Sequence, residues 1–328
     1  MVYINSHCFA PIFFALYNQY NTGIEHTILT TNENVYKFCK YVKLKCIYIS
    51  SYKRNLRSIK TLVSNKNILN TIISEVNIKE NDQFFLLDNV YTIEGFYFAN
   101  KFSSKCQTYY LNLVSFYPDY YGFKFSYKFF TVLIKKIAIE IIYNLKLELY
   151  NHRGPVIGIN NNFLKNSNIK TYKLDVSFDE LKMNVSDRTK IQLGEYENML
   201  IDGSYEGIIR KNSIKFIYSA ILEYCPTIVI KPHPNFYKTQ LLDAKNIIPA
   251  YFPIELLSSN IKRNVLSIGV SSTLIFYSKI KRINSISLLE LVEWVNLDYK
   301  TEIKNWLIKE SNNKIIFVKT LDELFEYL

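Results

Sequence analysis

Two short stretches hold residues whose types and spacing suit work on a phosphate. Lys231-Pro232-His233-Pro234 follows the β-branched run Thr227-Ile228-Val229-Ile230, and Ser271-Ser272-Thr273 follows a second apolar run at 264–269. A short continuous apolar run reads as a buried parallel strand. The prolines fix their own φ and push Lys231 and His233 towards extended backbone, so the imidazole stands on a stiff mount at a strand end. Such a mount suits a positioned acid or a hydrogen-bond donor to phosphate. A Pro-punctuated turn whose histidine caps neighbouring backbone would read the same way from this tetrapeptide alone.

The second stretch narrows the choice. Gly269 allows a tight exit from its strand, and Ser271-Ser272-Thr273 opens the run 274–281, which reads as a helix. Hydroxyls there either cap the helix or hold an anion beside its free N–H groups and partial positive charge. For one motif alone, capping is the commoner case. Two motifs at consecutive strand ends of one α/β domain would face one crevice, which favours the anion. No Walker loop or G-x-G-x-x-G accompanies them.

The elements that position these motifs alternate along the chain. β-rich runs at 46–50, 83–87 and 108–114 are separated by helical patterns at 10–20, 56–76 and 127–147, the pattern of an α/β domain with a largely parallel sheet. Residues 160–190 are polar, with one strand-like piece at 171–176, and read as the link between halves. The alternation then restarts with strands at 191–194, 227–230, 265–269, 283–288 and 314–318, and helices at 204–224, from 272, and at 301–311. Domains are therefore expected at 1–165 and 191–328, joined by 166–190. Open α/β sheets bind ligands beyond the carboxyl ends of their strands.

With 48% apolar residues, 27 Tyr and 22 Phe in 328, the chain can fill large cores and is not a disordered polymer. Five cysteines are scattered and odd in number, without C-x-x-C or a histidine at metal-ligand spacing, which fits a reduced, cytoplasmic protein. The start of the chain lacks a basic n-region, and the apolar run 9–16 reads as a core helix rather than a leader. Lys135, Lys136 and Glu140 interrupt the apolar stretch 129–143, which is too short for the roughly 20 residues of a spanning helix. A net charge of +11 and a pI near 9.1 favour acidic partners, whether nucleic acid, anionic membrane or charged substrates. No zinc finger, RNP-like stretch or dense basic helix supports nucleic acid.

The order strand, Lys231-Pro232-His233-Pro234, Pro253-Ile254-Glu255-Leu256, strand, Ser271-Ser272-Thr273 resembles bacterial sialyltransferases, most closely glycosyltransferase family 52 of lipooligosaccharide and capsule synthesis. Bacterial polysialyltransferases share the His-Pro and Ser-Ser/Thr elements. The resemblance spans about 191–280, and the first half matches only in general character. It implies a GT-B fold, two Rossmann-like domains with parallel sheets facing a central cleft. It also implies a CMP-sialic acid donor held by the second domain, and inversion at the anomeric carbon without a metal. On that resemblance His233 meets the donor phosphate and assists departure of CMP, Ser271 and Ser272 supply phosphate-binding hydroxyls, and Glu255 suits the ribose. Lys231, Pro234 and Thr273 complete the expected donor site.

Inverting transfer needs a carboxylate to take the acceptor proton and donors for charge growing on the leaving phosphate. The sequence has no D-x-D pair to carry a metal in that second role, so no cofactor is expected. Three carboxylates compete as base. The family implies an Asp upstream of the His-Pro motif, and Asp202 is the nearest, although a long helix intervenes and a helix-capping loop Asp fits equally. Related enzymes carry an acidic pair before Gly, of which Ile93-Glu94-Gly95 is a degenerate match, and Asp88 follows the run 84–87. His7 ends the first strand, whereas His26 and His152 read as structural. The expected activity is transfer of sialic acid to a terminal sugar, galactose in the first instance, of a surface glycan. Polysialyl, Kdo or glycerophosphate transfer by another His-Pro GT-B enzyme is the alternative, and a non-catalytic nucleotide- or glycan-binding module is a third reading. Candidate partners are a CMP-sugar donor, a glycan acceptor, an anionic inner-membrane face and a second copy of the chain.

Overall fold

The computed structural model describes residues 1–6, 8–53, 58–87, 93–111, 127–151, 155–158, 169–203, 208–233, 246–269 and 272–328. The chain divides into two compact units, Met1–Leu181 and Lys182–Leu328. Each is built around a parallel sheet.

In the first unit, β1 (Val2–Asn5), β2 (His26–Thr30), β3 (Lys45–Tyr48), β4 (Gln83–Leu87), β5 (Gln107–Leu111) and β8 (Lys170–Tyr172) form, among the described residues, a parallel sheet of order β3-β2-β1-β4-β5-β8. Helices α1 (Ala10–Thr22), α2 (Glu33–Tyr41), α3 (Ile59–Val76), α4 (Ile93–Phe102) and α5 (Tyr127–Tyr143) connect it, and β6 (Glu148–Asn151) pairs with β7 (Pro155–Gly158) as an antiparallel hairpin. This is the doubly wound order, whose direction reverses between β1 and β4. Alternation along β4 sends Phe84 and Leu86 into a core with Tyr3, Phe96, Phe98 and Phe102, and Phe85 to the other face. There Phe85 meets Phe14, Tyr109 and Tyr172 at ring separations of 5.0, 5.1 and 5.3 Å.

That contact explains a difference from the sequence reading. Much of the polar segment 166–190, expected as a linker, is built into structure. Tyr172 anchors β8 as the last strand of the first sheet, and α6 (Phe178–Arg188) starts from a reciprocal cap: Ser177 Oγ accepts from Glu180 N at 3.2 Å while Glu180 Oε2 accepts from Ser177 N at 2.9 Å. The boundary between units falls inside α6.

In the second unit, β9 (Tyr196–Ile201), β10 (Val229–Lys231), β11 (Ile261–Ser267), β12 (Asn284–Ser287) and β13 (Ile315–Phe317) form, among the described residues, a parallel sheet of order β10-β9-β11-β12-β13. It is flanked by α7 (Lys211–Tyr224), α8 (Thr273–Tyr277), α9 (Leu297–Ser311) and α10 (Leu321–Phe325). The order corresponds to 2-1-3-4-5 and reverses between β9 and β11. Two Rossmann-like units, as expected of a GT-B chain, are thus present in tandem.

Three asparagines cross this second sheet in register. Asn264 Nδ2 donates to Asn198 Oδ1 at 2.7 Å and to the Tyr327 carbonyl at 2.7 Å, and Asn284 Nδ2 donates to Asn264 Oδ1 at 2.9 Å. Asn264 is fully buried, so each bond replaces water that cannot enter. A slip of one residue would turn the amides to opposite faces and break the row. Asn264→Leu strands partners on both neighbouring strands and should cost about 2–4 kcal/mol in urea unfolding; an unchanged midpoint would contradict a register set by this row.

Candidate functional site

The reversal in strand order gathers the second unit's candidate residues at one edge. Lys231 of β10 pairs with Ile201 of β9, and Asp202 N donates to the Lys231 carbonyl at 3.0 Å. Asp202 is therefore the first residue past β9, directly beside Lys231-Pro232-His233 at the end of β10. The expected strand at 191–194 and helix at 204–224 are corrected: the strand is Tyr196–Ile201, and α7 starts at Lys211 with Arg210 at its cap position, so the alternative reading of Asp202 as a helix cap finds no support. Parallel pairing removes the separation that the intervening helix imposes in sequence. Asp202 is 5% exposed.

On the other side of β9, β11 ends at Ser267 and the chain turns at Gly269 with φ +92°. Ser267 Oγ accepts from Gly269 N at 3.1 Å, and Ser287 Oγ donates to the Ile268 carbonyl at 3.3 Å. The positive φ favours glycine, and a Cβ there would lie 2.9 Å from Leu307 Cδ1 and push that side chain aside. Beyond the turn, Ser272 occupies the cap position of α8, yet its side chain makes no capping bond. That leaves the hydroxyl's role as a cap unsupported. The helix is only Thr273–Tyr277, shorter than the expected run 274–281, so its dipole is a minor aid to anion binding. Ser271 and Pro234 lie outside the described residues.

Lys231 is 2% exposed. Its Nζ donates to the Pro232 carbonyl at 2.6 Å and to the Ala250 carbonyl at 3.3 Å. Burial lowers its pKa to about 7, a fall that the nearby Glu255 carboxylate partly offsets. The ammonium thus clamps the His-Pro segment to the chain at 250. His233 is half-buried, and burial first, then the charge of Lys231, lowers its pKa to about 4. A pKa that low leaves the imidazole neutral at pH 7, with one ring N–H.

Glu255 belongs to a 3-10 turn, Ile254–Leu257, set against the same edge. Ser186 Oγ donates to its carbonyl at 3.1 Å, and Tyr277 Oη of α8 donates to the Ile254 carbonyl at 2.6 Å. Burial and then Glu255 raise the Tyr277 phenol well above its ordinary value, which keeps it a neutral donor. Tyr277 carries no sequence signal beyond an aromatic residue within the helical run. Its position follows only from the packing of α8 on the turn.

Glu94 lies in the first unit, in the first turn of α4, 4% exposed, and accepts from Thr31 Oγ1 at 2.9 Å. Asp88, His7 and His152 lie outside the described residues. His26 is structural as expected: buried at the start of β2, with Nδ1 2.7 Å from the Ile24 carbonyl and a pKa lowered by burial. Among the described residues no helix is long and apolar enough to cross a membrane.

No protein-family model matches the sequence, and no curated protein matches it. Solved structures similar to the chain include a UDP-GlcNAc 2-epimerase from Neisseria meningitidis bound to UDP-GlcNAc, at 14% identity and a TM-score of 0.46, covering 97% of this chain and 94% of that one. They also include an alpha/beta-galactoside alpha-2,3-sialyltransferase from Photobacterium phosphoreum, at 12% identity and a TM-score of 0.40, covering 96% and 97%. An E. coli heptosyltransferase with ADP follows at 9% identity and 0.39, covering 87% and 86%. At such values the likeness says nothing of what this chain binds or makes.

The buried lysine makes a pH prediction. Its folded pKa, about 7, lies below the ordinary 10.5. Below pH 7 the folded chain bears the full cost of the ammonium; between 7 and 10.5 the unfolded chain holds a proton that the folded chain lacks. Stability from this group therefore rises with pH through that window. Wild type should gain on Lys231→Met by up to about 1.4 kcal/mol per pH unit between pH 7 and 10, read as the difference between urea-unfolding curves; parallel pH dependences would contradict a depressed lysine.

Proposed function

We propose that the chain is an inverting, metal-independent sialyltransferase whose second unit holds CMP-sialic acid at the carboxyl ends of β9, β10 and β11. The observation that carries this reading is the convergence of Asp202, His233 and Ser272 on one edge of one sheet, at the reversal in strand order where α/β sheets take nucleotides. The resemblance in motif order supplies the donor.

In this scheme the acceptor hydroxyl oxygen attacks the anomeric carbon of sialic acid as the bond from that carbon to the phosphate oxygen breaks. Asp202, or Glu94 from the first unit, takes the hydroxyl proton; CMP leaves with the bonding pair. The His233 N–H and the Ser272 and Ser271 hydroxyls meet the charge that grows on the phosphate. A pKa near 4 in the ligand-free site does not conflict with this role. A phosphate beside the ring stabilises the imidazolium and pulls its pKa upward, so the donor strengthens where charge develops. In this scheme Glu255 meets the donor's ribose and Thr273 adds a hydroxyl beside Ser272, and Lys231 acts through the Pro232 carbonyl rather than by touching the donor.

Given CMP-sialic acid and a lactose-type acceptor in EDTA, the purified protein should release CMP and form sialyl-lactose. His233→Ala should lower turnover by about 100-fold or more while circular dichroism and melting temperature stay near wild type. Of Asp202→Asn and Glu94→Gln, the one that keeps donor binding but loses transfer marks the base. Wild-type rates in His233→Ala would contradict the assignment. Turnover only with CMP-Kdo or CDP-glycerol would favour a related His-Pro transferase, and donor binding without turnover a binding module.

A further inference from the structure

The 3-10 turn Ile254–Leu257 closes on its own short-range bond, from Leu256 N to the Pro253 carbonyl at 3.2 Å. It is also gripped from three other elements. Lys231 Nζ at the end of β10 donates to the Ala250 carbonyl at 3.3 Å, Tyr277 Oη of α8 to the Ile254 carbonyl at 2.6 Å, and Ser186 Oγ of α6 to the Glu255 carbonyl at 3.1 Å. All three donor residues are buried. One buried donor that finds a carbonyl is ordinary. Three from separate elements, converging on the backbone around one residue, fix where that residue stands.

That residue is Glu255, and its carboxylate is left uncommitted. The side chain is half-buried, and among the described residues its carboxylate accepts no hydrogen bond. Its charge still reaches two of the donors, raising the pKa of the Tyr277 phenol and partly offsetting the fall at Lys231. A carboxylate whose backbone is fixed and whose oxygens are open can accept from two hydroxyls at once. On a sheet edge that also carries His233 and Ser272, the hydroxyl pair that suits it is the 2′,3′-diol of a ribose. Helix α8 spans only Thr273–Tyr277, so the phenol that grips the turn is one helical turn from the Thr273 hydroxyl. Leu274, Ile275 and Phe276 beside it are all buried, and a phenyl ring would fill the space at 277; the hydroxyl adds the bond to Ile254.

We propose that Tyr277 and Ser186 are positioning residues for ribose recognition: through the Ile254 and Glu255 carbonyls they hold the turn so that the Glu255 carboxylate meets the 2′ and 3′ hydroxyls of the nucleotide. This rests on Glu255 as the ribose partner in the donor site proposed above. Isothermal titration calorimetry with CMP and with 2′,3′-dideoxy-CMP tests it. Wild type should bind CMP about tenfold or more tightly than the dideoxy nucleotide, and Glu255→Ala should lose that preference. Tyr277→Phe, which keeps the ring, and Ser186→Ala should each weaken CMP by about threefold or more and leave the dideoxy nucleotide within about twofold of wild type. A preference unchanged in either variant would remove that residue from the role. An equal loss for both nucleotides would show a general loss of packing and overturn the proposal while Glu255 keeps its place. A wild type that binds both alike, or binds neither, or a Glu255→Ala variant that keeps the preference, would overturn the ribose reading and the proposal with it.

Discussion

The candidate site depends on one buried ammonium. Taking a lysine out of water costs several kcal/mol unless its protons find acceptors, and Lys231 finds two backbone carbonyls, those of Pro232 and Ala250. Glu255 returns part of the lost solvation. The bonds tie the residue just before His233 to the stretch that leads into the 3-10 turn. The same turn is tied to α8 through Tyr277. Asp202 is tied to Lys231 by a backbone bond. His233, Asp202, Glu255 and Ser272 are therefore held on segments that all meet at the end of β10 and β9, and the proximity of the ammonium also keeps the imidazole neutral.

How far this was legible from the sequence differs by residue. The run at 227–230 announced β10, the prolines announced a stiff exit, and Gly269 announced a turn, which the structure gives a left-handed φ and close side-chain neighbours. The strand carrying Asp202 was misplaced because Tyr196-Glu197-Asn198 opens it with polar residues. Asn198 is tolerated inside the sheet because Asn264, 66 residues later, donates to its Oδ1 and its own Nδ2 donates to Cys225 Sγ. No local pattern records such a partner. Once β9 is placed, Asp202 moves from a loop to the strand end beside Lys231.

The polar segment before the second unit misled for a related reason. Its composition reads as a link, but one ring, Tyr172, packing among Phe14, Phe85 and Tyr109, is enough to add an edge strand. The S-x-x-E spacing of Ser177 and Glu180 was a readable helix start that the composition obscured. The reverse holds for α5, where the apolar run was plain in the sequence but not which of its residues stay outside the core. Lys231 is the clearest case of a residue whose type was informative and whose role was not, since only its burial turns it from a donor-binding cation into a clamp.

The central claim is that His233 sits where a nucleotide phosphate arrives. Proton NMR titration of its imidazole, with and without CMP, tests this most directly, using His233→Ala to assign the resonance. Without nucleotide the ring should titrate well below the ordinary 6.5, near 4; with CMP bound its pKa should rise by about one unit or more. A titration curve that CMP leaves unmoved would contradict a phosphate seat at His233.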